Sequence, residues 1–430
     1  MAKKIQNTFF MKYIISLFAL FSGAFVTMAQ APKTLSIDDC YAQAQQNYPM
    51  AKQRDLILKS ASYSIENASK GYLPQFNLNA QATYQSDVTQ LPIKLPNVNI
   101  PSISKDQYKI YGDVNQVIYD AGNIKNQKLS VTANAAIETQ KLEIELKKVK
   151  ERINQLYFGI LMLDEQLEQT EIFNKDIQSA INKTKGAITN GVALKSAGDV
   201  LQVELLKMNQ HVVELKASRL AYLEMLGLFI NQTLDGIIKL QKPVGISIPQ
   251  TIHRPELLLI EKQKNWLLIQ NRFVDSKNLP KVGLFVQGGF GRPALNMLNN
   301  DFSAYYIGGL RVNWSLNGLY TRKNEKAILS FNAAALDIQK ETFLFNTNFI
   351  LKQQNMEVVK LQELIKTDDE IVALRTKIKN TAFAQLENGV LNATDYLREL
   401  NAEDQAKQNK SMHEIQLLMT RYAIRFTMEN

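Results

Sequence analysis

Phe76-Asn77-Leu78-Asn79-Ala80-Gln81-Ala82-Thr83-Tyr84-Gln85 alternates apolar and polar side chains along its whole length. In an extended strand, Phe76, Leu78, Ala80, Ala82 and Tyr84 share one face, and Asn77, Asn79, Gln81, Thr83 and Gln85 share the other. A strand of about ten residues, apolar outside, polar inside and aromatic near both ends, carries the signature of a membrane barrel. The stretch has a counterpart, Val282-Gly283-Leu284-Phe285-Val286-Gln287, and both follow a Leu-Pro pair, Leu73-Pro74 and Leu279-Pro280. Each half of the chain then reads as strand, loop, strand and a very long helical run. A period of roughly 200 residues is too long for a solenoid and indicates a duplicated domain.

The partner strands repeat the pattern. From Tyr108 to Tyr119, Ile110, Val114 and Ile118 oppose Lys109, Asp113 and Asn115. In the fourth strand Leu310, Val312, Trp314 and Leu316 alternate with Arg311, Asn313 and Ser315. Phe76, Leu78, Tyr84, Leu310, Val312 and Trp314 are the expected lipid-facing positions. A soluble antiparallel sheet with one wet face alternates in the same way, so the strands alone leave both readings open. The rest of the chain favours the membrane.

The chain opens with Lys3, Lys4 and Lys12 ahead of an apolar run from Tyr13 to Val26 and the small-residue site Thr27-Met28-Ala29. This is the layout of an export signal, with cleavage expected after Ala29; Met11 is a second candidate initiator. Removal takes three lysines and no acids from a net charge of +9, and the remaining excess is spread without a dense basic block, which argues against nucleic acid. Beyond the leader no apolar run approaches the ~20 residues of a spanning helix. The single cysteine, Cys40, cannot form an internal disulfide and reads as a buried thiol in the first helix.

The eleven prolines are segregated, with none between Pro101 and Pro243 and none after Pro293. Proline costs about 3 kcal/mol in a helix interior, so its absence permits long rods. Leu319 to Asn388 holds neither Gly nor Pro; a helix of that extent is about 100 Å long. In the first rod Leu142, Leu146, Val149, Ile153, Leu156, Ile160, Leu163 and Leu167 form a coiled-coil seam. The second rod carries two apolar stripes, including Leu344, Phe345, Phe349, Ile350, Val358, Leu361, Leu364 and Ile365, as a wall of helices requires. Each rod folds back at a Gly-containing turn, Asn190-Gly191-Val192 and Asn388-Gly389-Val390, with Gly as the left-handed C-cap residue. Ser196 and Asp199, and Asn392, Thr394 and Asp395, read as helix-start residues, with the first turn about two residues longer between its Gly and its Asp. The expected organisation is a signal peptide at 1–29; a first repeat at 30–250 with strands in 75–120 and a hairpin at 123–230; and a second at 251–430 with strands in 281–316 and a hairpin at 318–428.

Four strands cannot close a barrel, and an open edge in lipid leaves backbone groups unpaired at several kcal/mol each. The chain must share its barrel with copies of itself, and three chains supply twelve strands. The loop with Pro92, Pro96 and Pro101 and the one from Pro293 to Phe302 are expected to cap the outer mouth.

Several stretches resemble the TolC-like outer membrane efflux protein family. They are Leu35-Ser36-Ile37-Asp38-Asp39-Cys40 with Asn47-Tyr48-Pro49, Arg254-Pro255-Glu256-Leu257, Tyr119-Asp120-Ala121-Gly122, Leu316-Asn317-Gly318 and the two tip turns. The likeness covers nearly the whole chain beyond the leader. It implies an α+β membrane protein of mostly long antiparallel helices: a homotrimer with a twelve-stranded β-barrel in outer membrane lipid and a periplasmic tunnel of coiled-coil hairpins (an α-barrel). Such a duct docks on a periplasmic adaptor (membrane fusion) protein and an inner-membrane pump of RND, ABC or MFS type. The resemblance makes Gly191, Val192, Gly389 and Val390 adaptor contacts, and Asp199 and Asp395 candidates for the periplasmic aperture. Leu386 and Leu391 stand where the family's Tyr and Arg are expected, and Arg398 where a second aspartate is expected, so a closed tip must be held differently here.

No catalytic group, cofactor or metal site is expected. His211, His253 and His413 are dispersed, and Gly288-Gly289-Phe290-Gly291 opens no helix, reading as a strand bend or turn rather than a phosphate loop. Asp368-Asp369 reads as a solvated pair. The alternative function is a periplasmic coiled-coil adaptor or scaffold without a barrel, although the lipoyl-like β-domain and inner-membrane anchor usual in adaptors are not visible.

Overall fold

A computed structural model describes residues 34–89 and 103–429. The leader and the proline-rich part of the first loop lie outside the described residues. Helices α1 (Ile37–Asn47) and α2 (Gln53–Ser69) precede strands β1 (Gln75–Tyr84) and β2 (Asp106–Tyr119). Helix α3 (Asn123–Thr189) turns back into α4 (Lys195–Ile230). The second half repeats the order with α5 (Pro255–Lys277), β3 (Lys281–Arg292), β4 (Ser303–Asn313), α6 (Gly318–Glu387) and α7 (Ala393–Met428).

The rods are continuous helices of 67 and 70 residues, whereas each return helix has 36. The sheet-proximal part of α3 is therefore flanked by α2 and α5, and its far part by α4. The seam of α3 is buried at Leu142, Leu146, Val149, Ile153, Leu156 and Ile160, and half-buried at Leu163 and Leu167. On α6 only one stripe is covered within the chain, through Thr347, Leu351, Leu361 and Ala382. The other, through Phe331, Ile338, Phe345, Phe349, Met356 and Leu374, is exposed, as is a stripe on α4 through Val203, Leu206, Val213 and Leu220.

The four strands form one antiparallel sheet in the order β1-β2-β3-β4. Strand β4 ends at Asn313, so Trp314 and Leu316 are not strand residues as the alternation suggested. The Trp314 indole N–H instead donates to the Asn278 carbonyl at 3.1 Å, tying the end of the sheet to the end of α5. The Gly288–Gly291 stretch is strand interior and neither bend nor turn; a Cβ on Gly289 would lie 2.1 Å from the Ile110 carbonyl oxygen, so only glycine permits that approach.

The main core lies at mid-length. Leu35, Ile37, Cys40 and Ala44 pack on Ile153, Tyr157, Phe158, Leu223 and Leu226. Burial pushes the Cys40 thiol up to about 12. The linker 231–254 has no regular element beyond the bridge Leu35–Leu240. It is held by polar bonds: the Tyr157 hydroxyl donates to the Leu35 and Gln241 carbonyls at 2.9 and 2.7 Å. Buried Arg219 donates to the carbonyls of Gly236 and Ile238, each at 2.7 Å, and pairs with Asp164. At the C-terminal end of α7, buried Lys147 donates to the Glu429 carbonyl and lies 4.9 Å from the Phe426 ring centroid, a cation at the negative end of the helix dipole. Burial, reinforced by the Arg254 charge, pulls the Lys147 ammonium down to about 7.

Arg219→Met leaves two carbonyls and Asp164 without their donor, at a cost of at least about 2 kcal/mol. Thermal melting followed by circular dichroism should fall by several degrees, with new protease cleavage inside 231–254. An unchanged melt and digest would mean the linker is held by other contacts.

Candidate channel-forming sheet and periplasmic tip

Cross-strand register sorts the sheet into two faces. Phe76, Leu78 and Ala80 oppose Val114, Gly112 and Ile110; these meet Val286, Gly288 and Phe290, which in turn meet Gly308, Tyr306 and Ala304. With Leu284, Leu310, Val282 and Val312 they build one continuous apolar face. No element among the described residues covers it: Phe76 is 76% exposed, Leu78 78%, Tyr84 80% and Leu310 68%. A water-soluble sheet would bury that face. Aromatic residues stand towards both ends, Phe76 and Tyr119 on the helical side and Tyr84, Tyr108, Tyr306 and Phe290 on the loop side. A ten-residue strand is about 30 Å long, or about 23 Å tall at the tilt of about 40° usual in barrels, close to a hydrocarbon layer.

The opposite face carries Asn77, Asn79, Gln81, Asn115, Asp113, Lys109, Gln287 and Arg311, with Lys281 and Phe285 on the same parity. The Arg311 guanidinium lies 4.4 Å from the Phe285 ring centroid. The outer edges of β1 and β4 have no strand partner among the described residues. Beyond the sheet, Asn300 joins the two loops, accepting from the Ser104 N–H and donating to its hydroxyl, both at 3.0 Å.

The tips form as the Asn-Gly pairs indicate. Gly191 (φ 72°) and Gly389 (φ 68°) are left-handed. Val192 N–H donates to the Ala187 carbonyl and Val390 N–H to that of Gln385, both at 2.9 Å, closing two Schellman motifs. Val192, Leu194 and Val390 are exposed at the turn apices.

The two tip aspartates are not equivalent. Both turns span five residues, 190–194 and 388–392, so the two extra residues between Gly191 and Asp199 lie inside helix α4 and not in the turn. Asn392 caps α7, accepting from the Asp395 N–H at 2.8 Å while its amide donates to the Asp395 carboxylate at 2.7 Å. Helix α4 starts at Lys195, and Leu194 at its N-cap position offers no side-chain cap, so Ser196 and Asp199 do not cap it. Asp199 lies in the fifth position of α4 and is exposed, whereas Asp395 is in the third position of α7 and meets Arg398 at 3.4 Å.

Leu386 and Leu391 pack on an apolar cluster of Phe173, Ile177, Leu201, Tyr396, Leu397 and Leu400. Two ion pairs cross between α3 and α6, Lys379–Asp176 at 2.9 Å and Lys183–Glu387 at 2.7 Å. Behind them Glu403 is buried and paired with Lys407 at 2.9 Å. Asp368, expected in solvent, is buried instead and hydrogen-bonded to His413 at 2.6 Å; Asp369 is exposed and pairs with Lys410. The apolar cluster was missed because Leu386 and Leu391 were weighed against an absent polar network rather than as packing residues in their own right. Lys281 opens strand β3 just ahead of the alternating run that begins at Val282, so the alternation itself does not single it out.

Among the described residues no group of His, Cys, Asp and Glu could hold a metal, and no helix is long and apolar enough to cross a membrane. No protein-family model matches the sequence and no curated protein does. The architecture is that of a sheet-capped bundle of channel type, and solved structures share it. The outer membrane protein VceC of Vibrio cholerae aligns over 91% of this chain and 94% of its own at 13% identity, with a TM-score of 0.63. CusC, whose structures concern transmembrane channel formation, aligns over 92% of each chain at 11% identity and 0.67. The open state of the MtrE outer membrane channel of Neisseria gonorrhoeae aligns over 91% of this chain and 88% of its own at 11% identity and 0.61. The chain thus has the fold of outer membrane channels, the fold implied by the TolC-like resemblance.

Asp404, on α7 beside Glu403, supplies a pH-dependent term at the tip. Burial pushes its carboxyl up to about 6; Glu403 adds to this, while Lys407, His211 and the Gln408 amide oppose it. The folded state binds this proton more tightly than the unfolded chain, so stability falls as pH rises from the ordinary carboxylate range through about 6. Asp404→Asn should melt higher than the unaltered protein at pH 7.5 and lose the advantage at pH 4. Equal melting temperatures at both pH values would remove Asp404 from the tip's pH response.

Proposed function

We propose that this chain is a trimeric outer membrane exit duct, passing cargo delivered by a periplasmic adaptor and an inner-membrane pump in an efflux or type I secretion system. The observation that carries the reading is the uncovered apolar face on a sheet with two free edges. Three copies pair β4 of one with β1 of the next, giving twelve strands with lipid outside and the Asn/Gln-rich face around a water-filled lumen. The exposed stripes on α4 and α6 supply the matching contacts between neighbouring rods. The rods continue the lumen into the periplasm as a tunnel.

The tips are the adaptor-facing end. Gly191, Val192, Gly389 and Val390 present the docking turns, and Asp199 and Asp395 line the aperture in three copies. A ring of like charges there concentrates cations and repels anions. The apolar cluster around Leu386 and Leu391, with Lys379–Asp176 and Lys183–Glu387, takes the place of a polar lock. A periplasmic scaffold is the competing function, but a scaffold has no use for the bare apolar sheet.

Purified in mild detergent, the protein should run as a trimer by native mass spectrometry and form pores in planar bilayers. Val213→Asp and Phe345→Asp alter side chains exposed in the single chain, so each protomer should keep its helical signal while the trimer is lost. A wild-type monomer that conducts nothing and fractionates with soluble periplasmic proteins would overturn the duct in favour of the scaffold.

A further inference from the structure

Where the polar face of the sheet meets the start of α3 lies a cavity of about 280 Å³. Lys281 and Arg311 both line it, with the amides of Asn115, Asn123 and Asn313. Strand register places them together: Lys281 lies opposite Asn313, and Arg311 opposite Gly283. Neither cation has an acidic partner among the described residues. The one carboxylate in the lining is already engaged. Asp120 accepts from the Gly122 and Ile124 N–H groups, at 2.9 and 2.6 Å, to cap α3. The other acid on this face, Asp113, accepts from the Asn115 side chain. Two cations therefore share one concave site with amide donors, while the Asp120 carboxylate keeps its charge but has both oxygens turned to the N–H groups at the start of α3.

The Phe285 ring sits against the Arg311 guanidinium and lies over Gly309, where a Cβ would come within 3.3 Å of the ring, while Arg311 itself is exposed. A guanidinium is planar and weakly hydrated, and it stacks on π-faces as readily as it pairs with carboxylates. With one face on Phe285, its other face is available to a second flat ring. We infer that Lys281, Arg311 and Phe285 form a binding station on the sheet's polar face for planar organic anions, with aromatic carboxylates as the chemical class. The carboxylate meets Lys281 and the asparagine amides, and the ring lies on the open face of Arg311. The station itself is read from one chain; its place in a conducting lumen, in three copies at the periplasmic end of the barrel, rests on the duct reading.

Two measurements separate the site from the duct. Isothermal titration of 1-naphthoate into the detergent-solubilised protein tests binding without conduction, with acetate as the non-stacking control. Naphthoate should bind more tightly than acetate, and the double variant Lys281→Gln/Arg311→Gln should weaken naphthoate by about tenfold or more. Arg311→Lys keeps the charge and removes the plane, so it should retain acetate binding and lose the preference for naphthoate. In planar bilayers under a salt gradient, the double variant should shift the reversal potential towards cations, and naphthoate should block the unaltered pore more strongly than the variant. Naphthoate affinity unchanged in the double variant, with its helical signal intact, would overturn the station, as would acetate matching naphthoate in the unaltered protein. Lysine-sensitive naphthoate binding in a protein that forms no pores would uphold the station and overturn the duct.

Discussion

A sheet with one apolar face, one polar face and two unpaired edges cannot be at rest in a single chain in water. Each exposed Leu or Phe left in water forgoes roughly 1.5–3 kcal/mol of burial, and the backbone groups along β1 and β4 need partners wherever lipid replaces water. Everything else in the molecule is compatible with one remedy, repetition of the chain around an axis. The exposed stripes on α4 and α6 run along the rods in the same way that the open edges run along the sheet. In the proposed assembly the same neighbours cover both kinds of incomplete surface, which gives barrel and tunnel one symmetry.

The tip is joined by an apolar cluster flanked by ion pairs. The side chains of Leu386 and Leu391 carry no polar atom; they enlarge an apolar cluster that already joins α3, α4, α6 and α7. Apolar contacts are non-directional and lose little when helices shift by a fraction of an ångström, whereas the flanking ion pairs are directional. Lys379 is nearly buried and bridges Asp176 and Glu403, so removing either acid leaves charge in a poorly solvated place. Lys183–Glu387 is mostly exposed and is correspondingly weak. Specific geometry at the tip thus comes chiefly from the buried pair, and cohesion from the leucines.

Much of this was legible in the sequence because it rests on periodicity. Alternation from Phe76 to Tyr84 and the proline-free run from Leu319 to Asn388 each report one property, exposure of a face or continuity of a helix, and each is local. The Gly191 and Gly389 turns were equally legible, since only a left-handed residue closes a helix that way. The failures share a cause: they are positions decided by partners distant in sequence. Trp314 left the strand because Asn278 supplies an acceptor for its indole. Asp368 is buried because His413, on the facing helix, is there to receive it. Asp199 corresponds to Asp395 in the sequence because each is the acid that follows a tip glycine, although at eight residues in the first turn and six in the second. The helix start fixed by Leu194 placed them at different depths, and no local pattern signals where an uncapped helix begins.

The junction between sheet and rods makes the two parts one geometric decision. At the second repeat, the Asn278 carbonyl accepts from Trp314, its amide donates to the Val274 carbonyl at 2.7 Å, and a Cβ on Gly318 would lie 2.6 Å from its side-chain oxygen. Asp275 then grips Arg322 and Lys326, and Lys277 meets Glu325, joining α5 to the first turns of α6. At the first repeat, Asp120 caps α3 directly and Gln116 bonds the Tyr72 carbonyl at 2.8 Å. The two repeats solve the same problem with different residues: strands spaced about 4.8 Å apart must feed helices that pack 8–10 Å apart. Both solutions place a strand pair over two helices, one ending and one beginning. The wider spacing of the helices makes the chain splay as it leaves the sheet, and at the second repeat the junction is polar and has no space for a side chain at Gly318, which lies against Asn278.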